Sequence, residues 1–135
     1  MHVQPYLSYE GKCDEALEFY KRALGAEVKM LMRFKECPDK NACSPGSLEK
    51  VMHCSVQIGK SEVFMTDGRC CGNAEFKGIS LSIATDSVAD NERLFTALSA
   101  GGKVTMTLSK TFFAKSFGMV ADKFGVHWML ICGAQ

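Results

Sequence analysis

No stretch of this 135-residue chain is apolar for long enough to cross a bilayer. A membrane-spanning helix needs about 20 consecutive apolar residues, and the most apolar run, Phe124 to Cys132, falls far short. The chain also has no cluster of Lys and Arg. Its 16 basic and 15 acidic side chains leave a formal net charge of +1. Electrostatic capture of nucleic acid or of an anionic membrane is therefore not expected. The opening MHVQPYLSYEG lacks the basic region and following apolar region of a secretory leader. There is no C-x-x-C pair, although there are seven cysteines: Cys13, Cys37, Cys43, Cys54, Cys70, Cys71 and Cys132. An odd count with no sign of export reads as free thiols in a reducing, cytoplasmic setting. The loop cysteines (Cys37 and Cys43, Cys70 and Cys71) do not have the paired spacing of a zinc site.

What is present has an ordinary globular balance, 47% hydrophobic and 23% charged, which argues against disorder. The length suits one domain, and a chain near this size buries roughly two-thirds of its unfolded surface.

Along the chain, alternation predicts a strand over residues 3–9, with Val3, Pro5, Leu7 and Tyr9 on one side. A helix is expected from Cys13 to Leu24, with Ala16, Leu17, Tyr20, Ala23 and Leu24 on one face and Gly25 ending it. Val28 to Phe34 alternates again, with Val28, Met30, Met32 and Phe34 on one side. Residues 35–50 carry loop chemistry. Val51 to Ile58 and Glu62 to Thr66 read as a hairpin around Gly59-Lys60. After a second loop the plan recurs. It runs through a strand Ile79 to Ala84, a helix capped by Asp86 or Ser87 and stopped by Gly101-Gly102, a strand marked by Val104, Met106 and Leu108, and strands Gly118 to Ala121 and Val126 to Cys132.

The recurrence is a duplication. An offset of 76 carries Phe19 onto Phe95, Gly25 onto Gly101, Val28 onto Val104 and Met30 onto Met106. Later the offset falls to 66, carrying Gly59 onto Gly125 and Val63 onto Met129. Element order matches as well as spacing. The expected fold is α+β, with two tandem βαβββ modules at about residues 1–70 and 76–135. A four-stranded sheet with one helix covers only one of its faces, so the other needs a partner. Two such mixed sheets, curved around a cleft lined by the uncovered faces, would make a natural small-molecule site.

Local motifs sharpen this. Pro5 to Gly11, Glu15-Ala16, Phe19-Tyr20, Leu24-Gly25-Ala26, Met52-His53 and Ile58-Gly59 are one group. Lys103 to Met106, Thr111-Phe112, Phe117-Gly118, Asp122 to Val126 and Trp128-Met129 are another. Together they resemble the PhnB-like branch of the vicinal-oxygen-chelate (glyoxalase/bleomycin-resistance/dioxygenase) superfamily, over nearly the whole chain. The resemblance implies a cleft that binds a small molecule, and a homodimer. Superfamily enzymes hold a divalent metal there on His, Glu or Gln. At the matching positions this chain has Pro5, Phe64, Gly78 and Met129, so the usual quartet is absent. A shifted set of Gln4, Glu62 and His127, with His53 near, is the alternative. The candidate ligand-binding residues are Gln4, Tyr6, His53, Phe64, Phe112, Phe117, His127 and Met129. Some relatives carry a demethylubiquinone methyltransferase label, but no strand here is followed by the Gly-rich turn such a methyl donor usually needs.

The expected function is binding of a small, partly apolar molecule, with no cofactor and no typical metal site. The alternatives are a metal-dependent lyase, isomerase or dioxygenase on the shifted ligand set, or a dimerisation module with a filled cleft.

Overall fold

A computed structural model describes residues 1–38, 45–70 and 72–133. The chain divides into two compact units, Met1–Ala74 and Glu75–Gln135.

The first unit contains β1 (Tyr6–Ser8), α1 (Cys13–Leu24), β2 (Glu27–Arg33), β3 (Val51–Ile58) and β4 (Ser61–Thr66), with short 3-10 turns at Phe34–Glu36 and Pro45–Ser47. The second contains β5 (Leu81–Thr85), α2 (Val88–Ser99), β6 (Lys103–Ser109), β7 (Ser116–Ala121) and β8 (His127–Cys132). The strand orders are β1-β4-β3-β2 and β5-β8-β7-β6, the same topology twice. In each sheet the first and last strands of the unit pair in parallel, and the other pairs are antiparallel. The fold is thus α+β with two βαβββ modules and mixed sheets. Among the described residues no helix is long and apolar enough to cross a membrane.

Apolar spacing gives α1 its packed stripe, with Cys13, Ala16, Leu17, Tyr20 and Ala23 buried. Gly25 ends it in the left-handed region at φ 66°, where a glycine carries no Cβ penalty. Ser87 caps α2, its Oγ accepting from the Asp90 N–H at 3.1 Å. A buried polar side chain pins each helix start to its sheet. Asp67 accepts from the N–H groups of Cys13 and Val51, both at 2.7 Å. Asn91 donates to Ser116 Oγ and accepts from Thr85 Oγ1, both at 3.1 Å.

Three expectations need correction. The strand over 3–9 is shorter, although backbone bonds from Phe64 N to Pro5 O and from Tyr9 N to Thr66 O extend its pairing at both ends. The side assignment in β2 is wrong beyond Val28. Val28 pairs with Val56 but Met30 pairs with Ser55, so Lys29 is an extra residue and the alternation flips. Leu31, opposite Cys54, joins Val28 on the helix side, while Met30 and Met32 move to the other face beside Ser55 and His53. The same bulge recurs in β6 between Val104 and Met106. The registers also show that Ser55 and Phe64 correspond to Met119 and Met129. The offset in the last strand is therefore one short of the 66 read from the turn glycines, and Met129 is the counterpart of Phe64 and not of Val63.

Candidate functional site

Each sheet has a face toward its helix and a far face. In the first module the helix side holds Leu7, Cys54, Val56, Val63 and Met65, all buried. Strand alternation sends Tyr6, Ser8, His53, Ser55, Glu62 and Phe64 to the far face. Register then brings the far-face residues together, since Tyr6 and Ser55 flank Phe64 on either side.

Two linked clusters result. Tyr6, His53 and Phe64 form a three-ring group. The centroid separations are 5.3 Å for Tyr6 and His53, 5.7 Å for Tyr6 and Phe64, and 5.1 Å for His53 and Phe64. The Tyr6 hydroxyl and His53 Nδ1 share a 2.7 Å hydrogen bond. Beside them, Glu62 accepts from Gln4 Nε2 at 2.5 Å and from Ser55 Oγ at 2.7 Å. These two donors, Ser55 first, hold the Glu62 carboxyl below its ordinary range, with the charges of His2 and His53 acting the same way. Partial burial pushes the Tyr6 phenol up, so it stays protonated and can donate. The face thus presents a fixed anion beside aromatic surface that is half-exposed or, for Tyr6, 53% exposed.

The second module places different chemistry at matching positions. Its far face holds Phe117, Met119, Ala121, His127, Met129 and Ile131, with Met106 from β6 and Ser82 from β5. Trp128, Leu130 and Cys132 point to the helix side and are buried. Phe117 stacks edge-on with Phe113 at 5.1 Å. Phe112 projects from the β6–β7 connection and is 92% exposed.

Of the residues singled out from sequence, Gln4, Tyr6, His53, Glu62 and Phe64 come together. His127, Met129 and Phe117 share the far face of the other module. Ser55 was missed, although its parity with His53 along β3 was a usable signal. The loop cysteines fall partly outside the described residues, which exclude Cys43 and Cys71. Cys13, Cys37, Cys54 and Cys132 are free thiols, with Cys13 and Cys54 buried 4.0 Å apart.

Within the first module the shifted metal set is incomplete. Gln4 and Glu62 meet, with the Gln4 amide donating to one carboxylate oxygen and the Ser55 hydroxyl to the other. His127 belongs to the other module, at the counterpart position of Glu62. Among the described residues of either module, no three His, Cys, Asp or Glu side chains converge. A catalytic site needs about three aligned ligands. The two strand-to-helix turns do not fit a nucleotide-bearing methyl donor either. Tyr9–Lys12 contains only Gly11, and Asp86-Ser87 contains no glycine.

Two βαβββ modules with this strand order define the glyoxalase/bleomycin-resistance class of fold. Residues 1–131 match the family model described as 3-demethylubiquinone-9 3-methyltransferase. The chain is 36% identical over 138 residues to protein YjdN of Escherichia coli, spanning 96% of this chain and 94% of that one. It is similar to the crystal structure of protein PA1353 from Pseudomonas aeruginosa, with 35% identity, a TM-score of 0.87 and coverage of 100% and 99%. A PhnB protein from Bacillus cereus follows at 27% identity and a TM-score of 0.82, covering 98% of this chain and 100% of that one. A glyoxylase/bleomycin resistance protein/dioxygenase domain from Frankia shares the fold at 17% identity and a TM-score of 0.66, over 99% of this chain and 90% of that one. The chain belongs to the PhnB-like family of the vicinal-oxygen-chelate superfamily.

Proposed function

We propose that the protein binds a small, partly apolar molecule on the far face of its first module, without a metal, and that this molecule carries a cationic or hydrogen-bond-donating group beside an aromatic or aliphatic body. One observation carries the reading. Glu62, kept ionised by Ser55 and Gln4, lies beside the Tyr6–His53–Phe64 ring cluster on the sheet face turned away from α1. A carboxylate oxygen that accepts one protein donor has lone-pair capacity for another. Ring faces attract both apolar carbon and cations. When the His53 Nδ1–H donates to the Tyr6 oxygen, the phenol O–H is left to donate to a ligand oxygen. The reading includes a homodimer, supported by the exposed apolar side chains Leu48 and Ile79, and a reducing cytoplasmic setting, supported by the free thiols of Cys13, Cys37, Cys54 and Cys132.

The test is a thermal-shift and NMR comparison of benzamidine and tyramine with benzoate and phenylacetate. The amidine and amine are expected to bind about tenfold more tightly, a difference near 1.4 kcal/mol. Glu62→Gln should remove that preference, and Tyr6→Ala should weaken all four probes. Equal binding of both charge classes, or a preference for the carboxylates, refutes the reading. Light scattering at micromolar concentration tests the dimer.

A further inference from the structure

The far face of the second module carries a row of thioethers that its own fold does not require. Met106 on β6 is opposite Met119 on β7, and Met119 is opposite Met129 on β8. Neighbouring strands lie about 4.8 Å apart, so side chains paired this way are adjacent. The bulge before Met106 is what brings it into the row. Without it Met106 would share the helix side with Val104, whose partner Val120 is fully buried. His127 stands two residues before Met129 on the same strand and face, as the alternating burial of β8 shows. The row therefore has an imidazole at one end.

Core packing does not explain these residues. None of the three methionines belongs to the buried core, and Met106 is 46% exposed. In the first module the counterpart positions hold Met30, Ser55 and Phe64, with Glu62 in place of His127. The scaffold thus accepts a hydroxyl and a phenyl ring where the second module has two thioethers. Three polarisable sulfurs and one imidazole on a half-exposed surface are the ligand types that select a soft, singly charged d¹⁰ ion over a hard dication. Neither carboxylate nor thiolate joins them on this face.

We infer that Met106, Met119, Met129 and His127 form a binding site for monovalent copper, with silver as its non-redox analogue. Met119 is central, since it adjoins both other methionines. Met129 and His127 complete the set from one strand, and Met106 closes it from the edge. Thioether flexibility lets three sulfurs converge on an ion that tolerates two- to four-coordinate geometry.

The test uses the full-length chain with methyl-¹³C methionine, after alkylation of the accessible thiols, Cys37 among them, with N-ethylmaleimide. Silver(I) is then added in small steps. The Met106, Met119 and Met129 methyl signals are expected to shift together and saturate near one equivalent, while those of Met30 and Met32 stay in place. Met119→Leu, close in volume and so tolerated by the fold, should abolish the shifts at Met106 and Met129. Met30→Leu should change nothing. His127→Ala should weaken binding by roughly tenfold or more. Equal shifts at all exposed methionines, shifts at none of the three, or an unchanged Met129 shift in Met119→Leu would overturn the assignment. The Met119→Leu spectrum without silver shows that the variant is folded.

Discussion

Asp122 ties the β7–β8 hairpin to the core of the second module, and removing it has a calculable cost. Its Oδ1 accepts from the N–H groups of Phe124 and Val126 at 2.9 and 3.1 Å, and its Oδ2 accepts from Trp128 Nε1 at 2.9 Å. Asp122 and Trp128 are each 3% exposed and Val126 is 2% exposed. In Asp122→Ala the Phe124 N–H can turn to water, but the Val126 N–H and the indole N–H cannot. Each buried donor left without a partner costs about 1–3 kcal/mol, so the total is roughly 4 kcal/mol. For a chain of this size each kcal/mol moves Tm by about 3–4 °C, which gives a fall of about 12–16 °C. Asp122→Asn keeps the turn acceptor but sets an amide N–H against the indole N–H, for a smaller loss of about 2 kcal/mol. Trp128 is the chain's one tryptophan, so its emission during heating reports the second module, while circular dichroism reports both. A fall below about 3 °C for Asp122→Ala, or equal losses for Ala and Asn, would refute this account.

Gly118→Ala should destabilise the second module by about 1–3 kcal/mol through overpacking, because an added Cβ would lie 2.8 Å from Leu108 Cδ2 and 2.9 Å from Phe95 Cε2. A partial recovery of Tm in the double variant Gly118→Ala with Phe95→Leu checks that cause. Ser55→Ala should raise the Glu62 carboxyl toward its ordinary range, since Ser55 is the larger of the donors lowering it. A depressed folded-state value favours the folded or bound form above the unfolded pKa and is lost as pH falls through the folded one. Benzamidine binding should therefore persist in acid below the usual carboxylate range in the wild type and fail at higher pH in Ser55→Ala. Identical pH profiles for the two would contradict it.

Those features that repeat with a fixed local period were legible in the sequence. β3 was expected over Val51 to Ile58 and lies there, and α1 was expected over Cys13 to Leu24 and lies there. Ser87 and Gly25 carried cap signals that the backbone uses. The bulge at Lys29 was not legible, because an inserted residue leaves an apolar-polar pattern that still reads as regular alternation. That one residue moved Met30 and Met32 to the opposite face. The partners of buried polar groups were also hidden. Asp67 reads as a turn residue, and Asp122 as part of a turn. Their acceptor roles toward Cys13, Val51 and Trp128 exist only once the strands are in register. The Glu62–Ser55–Gln4 cluster has the same origin, since its three members come from three separate segments.

The duplicated registers separate what folding demands from what the far faces do. On the helix side, counterparts remain small or apolar: Leu7 with Ile83, Cys54 with Gly118, Val56 with Val120, Val63 with Trp128 and Met65 with Leu130. These positions bury surface against a helix, and hydrophobic burial constrains them in both modules alike. On the far side the counterparts diverge in kind: Tyr6 with Ser82, Ser55 with Met119, Glu62 with His127 and Phe64 with Met129. Glu62 in one repeat is matched by an imidazole in the other, and the Ser55 hydroxyl by a thioether. Folding alone gives no reason for that divergence, because one scaffold accepts either set. Chemistry that differs at matched positions, on faces the helices do not cover, is what the two proposed sites rest on: a carboxylate beside aromatic rings in the first module, thioethers beside an imidazole in the second.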